Sequence, residues 1–403
     1  MKIGKLFLAG IVALGLGLTG CNNDDVPELS DEKEATISIK VSPASNGSLA
    51  RSTGNLNGDG VLEKGLAQES AIKSLEVWIF KGDVLDAYKS AAAAEVTEVT
   101  DIEARIGSRT VVVVANAEII GQKNSKEELL ATIKGLPADV AGKGLVMTAE
   151  PFDVTLVKGN NYYGYTDAEV AAKTGENKNH LNDNKKPLPI TRVNARVAIV
   201  SAKLDLASVP ANQKVVFDAL KDVEVAMFNV PKETKLFGSD LAKNENYLFG
   251  AKWDSPLRTY VGSADASAVA TDSLTDAVTG ALPVVVTNAP YYYVNESNGD
   301  DKMFIVLRAK VYKDNAVVET VKELYTDNEG YTYYPIWINV AKEGYTYAGE
   351  YVPDGTIKRN TQYNISLTIK GLGNPNIDPV DKAWLDVAVA VEDWQVVRQY
   401  VIM

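Results

Sequence analysis

The stretch NTQYNISLTIKG, residues 360–371, sets Tyr363, Ile365, Leu367 and Ile369 against Asn364, Ser366, Thr368 and Lys370. A period of two sends these sets to opposite faces of a pleated strand, so the segment predicts a half-buried antiparallel strand. The same beat recurs in DKMFIVLRAKVY (301–312), where Met303, Ile305, Leu307, Ala309 and Val311 share a face, and in WLDVAVAVEDW (384–394) with Leu385, Val387, Val389 and Val391. TVVVVANA (110–117) is a continuous apolar run, which suits a central strand covered on both sides. Helix signals are fewer. In SKEELLATIKGL (125–136), Ser125 and Glu128 have capping-box spacing, Leu129, Leu130 and Ile133 share a face, and Gly135 stands at a C-terminal cap position. The pattern predicts an all-β protein with a few short surface helices.

Composition shifts at TGENKNHLNDNKKPLP (174–189), which is polar and closes on prolines that favour extended chain, before strand alternation restarts in ITRVNARVAIVSAKLDL. Two tandem β-sandwich domains, 52–187 and 188–394, are therefore expected. No short repeat of fixed period appears, which argues against a propeller or solenoid.

Chemistry-bearing residues are scarce. The 403 residues carry a net charge of −12 without a basic cluster, which excludes a nucleic-acid footprint. The single histidine, His180, lies in the polar linker and reads as a surface residue with no base or metal partner. No nucleophile elbow or Walker pattern occurs. NLNGDGVLEKGL (55–66) imitates a calcium loop at Asn55, Asn57, Asp59 and Gly60 but ends in Leu66 where a bidentate glutamate is needed. Neither a catalytic residue, a metal nor a cofactor is expected. The numerous carboxylates leave a glycosidase pair open, and the tyrosine-rich GNNYYGY, APYYYVNE and GYTYYPIW could stack on sugars or simply line strands.

The N-terminus has Lys2 and Lys5 before the apolar run Leu6 to Leu18, and LTGC (18–21) closes it, which describes a signal peptide over 1–20. The run is too short for a permanent spanning helix. Cys21 is the sole cysteine, so an internal disulfide is impossible. LTGC resembles the lipobox of bacterial lipoproteins, in which the cysteine is acylated, and NNDD (22–25) resembles the acidic tether that sends lipoproteins to the cell surface.

Taken in order, the lipobox, an arginine some thirty residues later (Arg51), IKSLEVWIF, RTVVVVANAE, PITRVNARVAIV, RNTQYNISLTIKGLG and the final VAVAVEDWQVV resemble the major fimbrial subunits of type V pili in Bacteroidales, nearest the short fimbriae of Porphyromonas. The resemblance runs from residue 1 to the C-terminus, and its motifs are specific through their order. It implies two transthyretin-like Greek-key sandwiches in a precursor anchored to the outer membrane by palmitate or a similar lipid on Cys21. It further implies cleavage between Arg51 and Ser52 by an arginine-specific protease, and a homopolymer assembled by β-strand exchange. Expected partners are accessory tip and anchor subunits and host or bacterial surface receptors, with roles in adhesion and biofilm formation.

The residues give that implication a physical form. EATISIKV (34–41) alternates Ile37, Ile39 and Val41 with Ser38 and Lys40, so the segment 36–41 can complete a sheet and be freed by a cut in the polar loop SLARSTGNLNGDG (48–60). A sandwich that loses such a strand offers an unpaired ladder beside an apolar groove. The tail QVVRQYVIM (395–403) is a candidate replacement. Val397, Val401 and Met403 share one face with Gln399, while Val396, Tyr400 and Ile402 share the other with Arg398; the sequence leaves open which face enters. A monomeric surface lipoprotein that binds or cleaves glycans is the alternative, and it predicts an exposed aromatic cleft.

Overall fold

The computed structural model describes residues 33–44, 67–136, 140–238, 247–253, 258–261, 272–273, 284–285, 291–300, 302–319, 321, 324–347, 351–377 and 385–393. Cys21, the calcium-like loop, Arg51 with Ser52, and the tail 395–403 lie outside them.

Strands dominate because period-two segments meet in pairs whose apolar faces need a second layer. Thr361–Ile369 runs antiparallel to Leu385–Asp393, matching Ile365 with Val389 and Leu367 with Val387, and parallel to Ala195–Leu204 on its other edge. Facing this sheet is a second one, in which Phe304–Lys313 lies between Ala219–Phe228 and Tyr331–Trp337. Tyr363, Ile365, Leu367, Ile369, Met303, Ile305, Leu307, Ala309 and Val311 are all fully buried in the core that the two layers enclose. This is the C-terminal sandwich.

The N-terminal sandwich has its own core, formed by residues 35–190. One layer carries Gly107–Ala115 between Ser74–Lys81 and Phe152–Leu156. The run Val111–Val114 is buried on both faces, as its continuous apolarity predicts. Val111 and Val113 enter the sandwich core, while Val112 and Val114 join Trp78 and Phe80 against Leu236 and Phe237 from the C-terminal half. The other layer holds Glu98–Ala104 and Gly159–Tyr163 on either side of the first strand, Ala35–Pro43.

Three expectations shift. The helix at 125–136 shortens to Lys126–Leu130: Ser125 caps it by accepting from the Glu128 N–H, but the C-cap is Ala131 rather than Gly135. Ile133–Gly135 leave the helix to pair with Glu233–Lys235, which leaves Ile133 half-exposed. The polar segment 174–189 contains a short strand, Lys178–His180, laid parallel on Gly159–Tyr163. Strand Leu188–Arg192, at the expected start of the second domain, pairs with the first sandwich, and Leu188 and Ile190 sit in its core.

A buried polar joint ties the halves together. Glu69, on the short helix Ala67–Ser70, pairs with Arg196 at 2.8 Å, both side chains fully buried, and accepts from the Tyr293 hydroxyl at 2.9 Å. Arg196 also donates to Gln362 (2.9 Å), and Arg192 donates to the Glu69 carbonyl at 2.7 Å and the Ser70 hydroxyl at 2.8 Å. Burial holds the Arg192 guanidinium down to about 10 and pushes the Tyr293 phenol far up.

Candidate functional site

Among the described residues, no cluster of three or more histidine, cysteine or carboxylate side chains could hold a metal. His180 has the partner that the sequence hides: its Nε2 lies 3.1 Å from Asp167. Asp167 also accepts from Lys185 at 2.7 Å, so the contact belongs to an ion-paired surface group. Seven of the nine tyrosines in the three aromatic motifs are buried, and Tyr163 and Tyr293 are half-buried. Tyr162, Tyr165, Tyr291, Tyr292, Tyr331, Tyr333 and Tyr334 are all buried, so these residues do not form an exposed stacking platform.

The feature that stands out is the seat of the first strand. Residues 35–40 run antiparallel to Glu98–Ala104 on one edge, and residues 35–39 run parallel to Gly159–Tyr163 on the other. Residues 41–43 then pair in parallel with Leu188–Ile190, so the strand passes from one layer of the sandwich to the other. Its inward side chains Ala35, Ile37, Ile39 and Val41 are at most 2% exposed. Burial of the two isoleucines and the valine contributes about 1.5–3 kcal/mol apiece. Among the described strands of this sandwich it comes first in the chain, and the next is Ser74–Lys81.

The outward face is partly covered too. Ser38 is buried opposite Tyr162, and its hydroxyl accepts from the Asp101 N–H at 3.1 Å. Lys40 reaches over Tyr165 to pair with Glu169 on the helix Asp167–Ala172. The hydrogen bond from Lys40, helped by the N–H and hydroxyl of Thr166, pulls the Glu169 carboxyl down to about 2. At the strand's start, Gly159 N–H donates to the Glu34 carbonyl, and Lys158 pairs with Glu34 at 2.7 Å. Asn161, itself buried, donates to the Thr36 carbonyl at 3.0 Å. Gly164 completes the seat. Its φ is +87°, and a Cβ there would lie 2.6 Å from the Lys40 carbonyl, so a bare backbone is required for the strand to approach.

Ile37, Ile39 and Val41 are thus brought together in one buried row. Alternation placed Ser38 on the polar face of the strand without a partner, and Asp101, Asn161, Gly164 and Glu169 carried no signal of their own, although GNNYYGY held part of it. Its asparagines and glycines, rather than its tyrosines, make the polar contacts with the first strand. The early arginines also separate. Arg109 is buried against Asp86 at 2.7 Å, and Arg105 reaches the same carboxylate at 2.6 Å. Burial raises the Asp86 carboxyl, but the two guanidiniums outweigh it and hold it below the usual range.

Residues 35–192 match the family model described as major fimbrial subunit protein (FimA), and residues 194–394 match that of the FimA4 pilin C-terminal domain. The chain is 33% identical to a major fimbrium subunit FimA type-2 of Porphyromonas gingivalis, over 100% of both chains, and 28% identical to a FimA type-4 subunit of that species over 99% of each. A crystal structure of a fimbrilin from P. gingivalis W83 superposes with a TM-score of 0.65 at 24% identity, covering 91% of this chain and 99% of that one. A putative cell adhesion protein from Parabacteroides distasonis superposes at 0.61 with 18% identity, covering 91% and 99% respectively. The fold is that of a fimbrilin. With both sandwiches matched, the chain belongs to the FimA family of major fimbrial subunits, structural components of cell-surface fimbriae. The relatives' names specify the major fimbrium and do not mention a short one.

Proposed function

We propose that this protein is the shaft subunit of a fimbrium, exported as a lipoprotein precursor acylated on Cys21, cut between Arg51 and Ser52, and polymerised when the seat of residues 36–41 passes to a strand of a second copy. The tail, with Val396, Val397, Tyr400, Val401, Ile402 and Met403, is the occupant we assign. The observation that carries the reading is the first strand itself, paired on both edges, buried on its inward face and partly covered on the other, yet followed in sequence by the polar segment that contains Arg51. Withdrawing it would expose two ladders of main-chain donors and acceptors beside an apolar slot, which is a template for β-strand addition. Both Arg105 and Arg109 are engaged with Asp86, which favours Arg51 as the protease site. Tip and anchor subunits, surface receptors and a role in adhesion and biofilm formation belong to the same proposal. The buried tyrosines disfavour the glycan-binding alternative.

The test is electron microscopy of the purified full chain after an arginine-specific protease, with N-terminal sequencing of the filament-derived subunit. Filaments whose subunit starts at Ser52 are expected. A start upstream of residue 37, or filaments formed equally by Arg51→Ala, would overturn the mechanism. Loss of fatty-acid labelling in Cys21→Ala checks the anchor.

A further inference from the structure

We propose that the bulge opposite Ser38 fixes the register of whichever strand fills this seat, which accepts a strand fully only when that strand offers a hydrogen-bond acceptor at this one position. For the first strand the inference stands on the geometry alone; its extension to a strand of a second copy rests on the polymerisation reading above.

Side-chain alternation already resists odd slips. A shift by one residue would turn Ile37 and Ile39 out of the core and send Ser38 and Lys40 in. Alternation is blind to a shift by two, which keeps every apolar residue on the apolar face. The bulge supplies the missing discrimination against one of these shifts, and core filling with the Lys40–Glu169 pair against the other. Ile37 pairs with Ile102 and Ile39 with Val99, so Thr100 and Asp101 together oppose the single residue Ser38. Asp101 adopts φ +53°, in the left-handed region, and its N–H points out of the regular ladder to the Ser38 hydroxyl. Asn161 behaves differently: it grips the Thr36 carbonyl, a group every strand possesses.

Each even slip loses something specific. Moving the strand so that Lys40 faces Asp101 presents an ammonium, which donates only, to an N–H that needs an acceptor. That slip also brings Pro43 to the place of Val41, whose N–H donates to the Thr97 carbonyl at 2.8 Å, and proline has none to give. The opposite slip puts the Thr36 hydroxyl before Asp101 but moves Ala35 into the space of Ile37 and carries Lys40 away from Glu169. The native register alone combines the filled core, the Lys40–Glu169 pair and a partner for the Asp101 N–H.

The experiment compares wild type with Ser38→Ala and Ser38→Thr as full-length, uncut protein, following hydrogen exchange at the Asp101 amide. Ser38→Ala should exchange about ten-fold faster or more, the order expected when a buried amide loses its acceptor, and Ser38→Thr should stay near wild type. In a second arm, after an arginine-specific protease, the N-terminal fragment should leave Ser38→Ala about ten-fold sooner. A synthetic peptide of residues 33–44 should refill the emptied seat about ten-fold more tightly than its Ser38→Ala form. Asp101→Gly keeps the N–H and accepts the backbone angle, so it should retain its fragment as wild type does. Equal Asp101 exchange in wild type and Ser38→Ala overturns the proposal, as does early release from Asp101→Gly. If the exchange difference holds while filaments never form, the register lock stands and the polymerisation reading falls.

Discussion

Truncating Ile39 tests the seat most directly. Ile39 is fully buried at the centre of the first strand, paired with Val99 on one edge and Tyr163 on the other. Ile39→Ala removes three carbons from a packed core, and such truncations cost about 2–5 kcal/mol. In the uncut chain that loss lowers the stability of the N-terminal sandwich. After cleavage at Arg51 the strand is held without a covalent link to the rest, and the same energy becomes a change in retention. At about 1.4 kcal/mol per ten-fold, it makes the fragment's dissociation constant roughly 30-fold weaker at the low end and more than 3000-fold weaker at the high end. The assay cleaves the full-length protein with an arginine-specific protease and follows the retained fragment by size exclusion and mass spectrometry. Ile39→Val, which costs about 0.5–1.5 kcal/mol, gives the graded point of roughly two- to twelve-fold and guards against a variant that does not fold. Retention unchanged in both variants would refute the claim that core burial holds the strand.

Three further perturbations probe the surroundings. Gly164→Ala places a Cβ 2.6 Å from the Lys40 carbonyl at a backbone angle that disfavours side chains, so it should cost at least about 1 kcal/mol in urea unfolding and speed fragment release. Glu69→Ala leaves the Arg196 charge buried without its carboxylate partner and should destabilise the protein by about 3–5 kcal/mol in the same assay, far more than loss of a surface pair such as Lys143–Glu118. The Glu169 carboxyl titrates near 2 when folded rather than near 4.5. Its pairing therefore adds stability fully above about pH 4.5 and loses it as the pH falls toward 2. NMR titration of the Glu169 carboxyl should show the lowered midpoint, and Lys40→Met should return it toward the ordinary value.

What the sequence discloses and what it withholds have different physical sources. Period-two alternation reports one buried face, so the strands at 303–311 and 363–369 were legible residue by residue, as was the doubly buried Val111–Val114. Alternation fails where polar side chains are buried with partners, because a hydroxyl beside an isoleucine reads as a solvent face whether water or a bulge lies opposite. Ser38 is such a case, buried beside Tyr162, and Lys40 is partly so, half-covered over Tyr165 by its pair with Glu169 on the helix Asp167–Ala172. The partners come from 60 to 130 residues away, and pairing at that distance leaves no local trace. The same blindness hid Glu69, which a sequence reader assigns to solvent and which the fold makes the centre of the joint between the sandwiches. Apolar burial alone would hold any greasy segment, in more than one register, whereas the Ser38 hydroxyl facing the Asp101 N–H and Lys40 paired with Glu169 add polar partners whose joint satisfaction depends on how the strand is aligned.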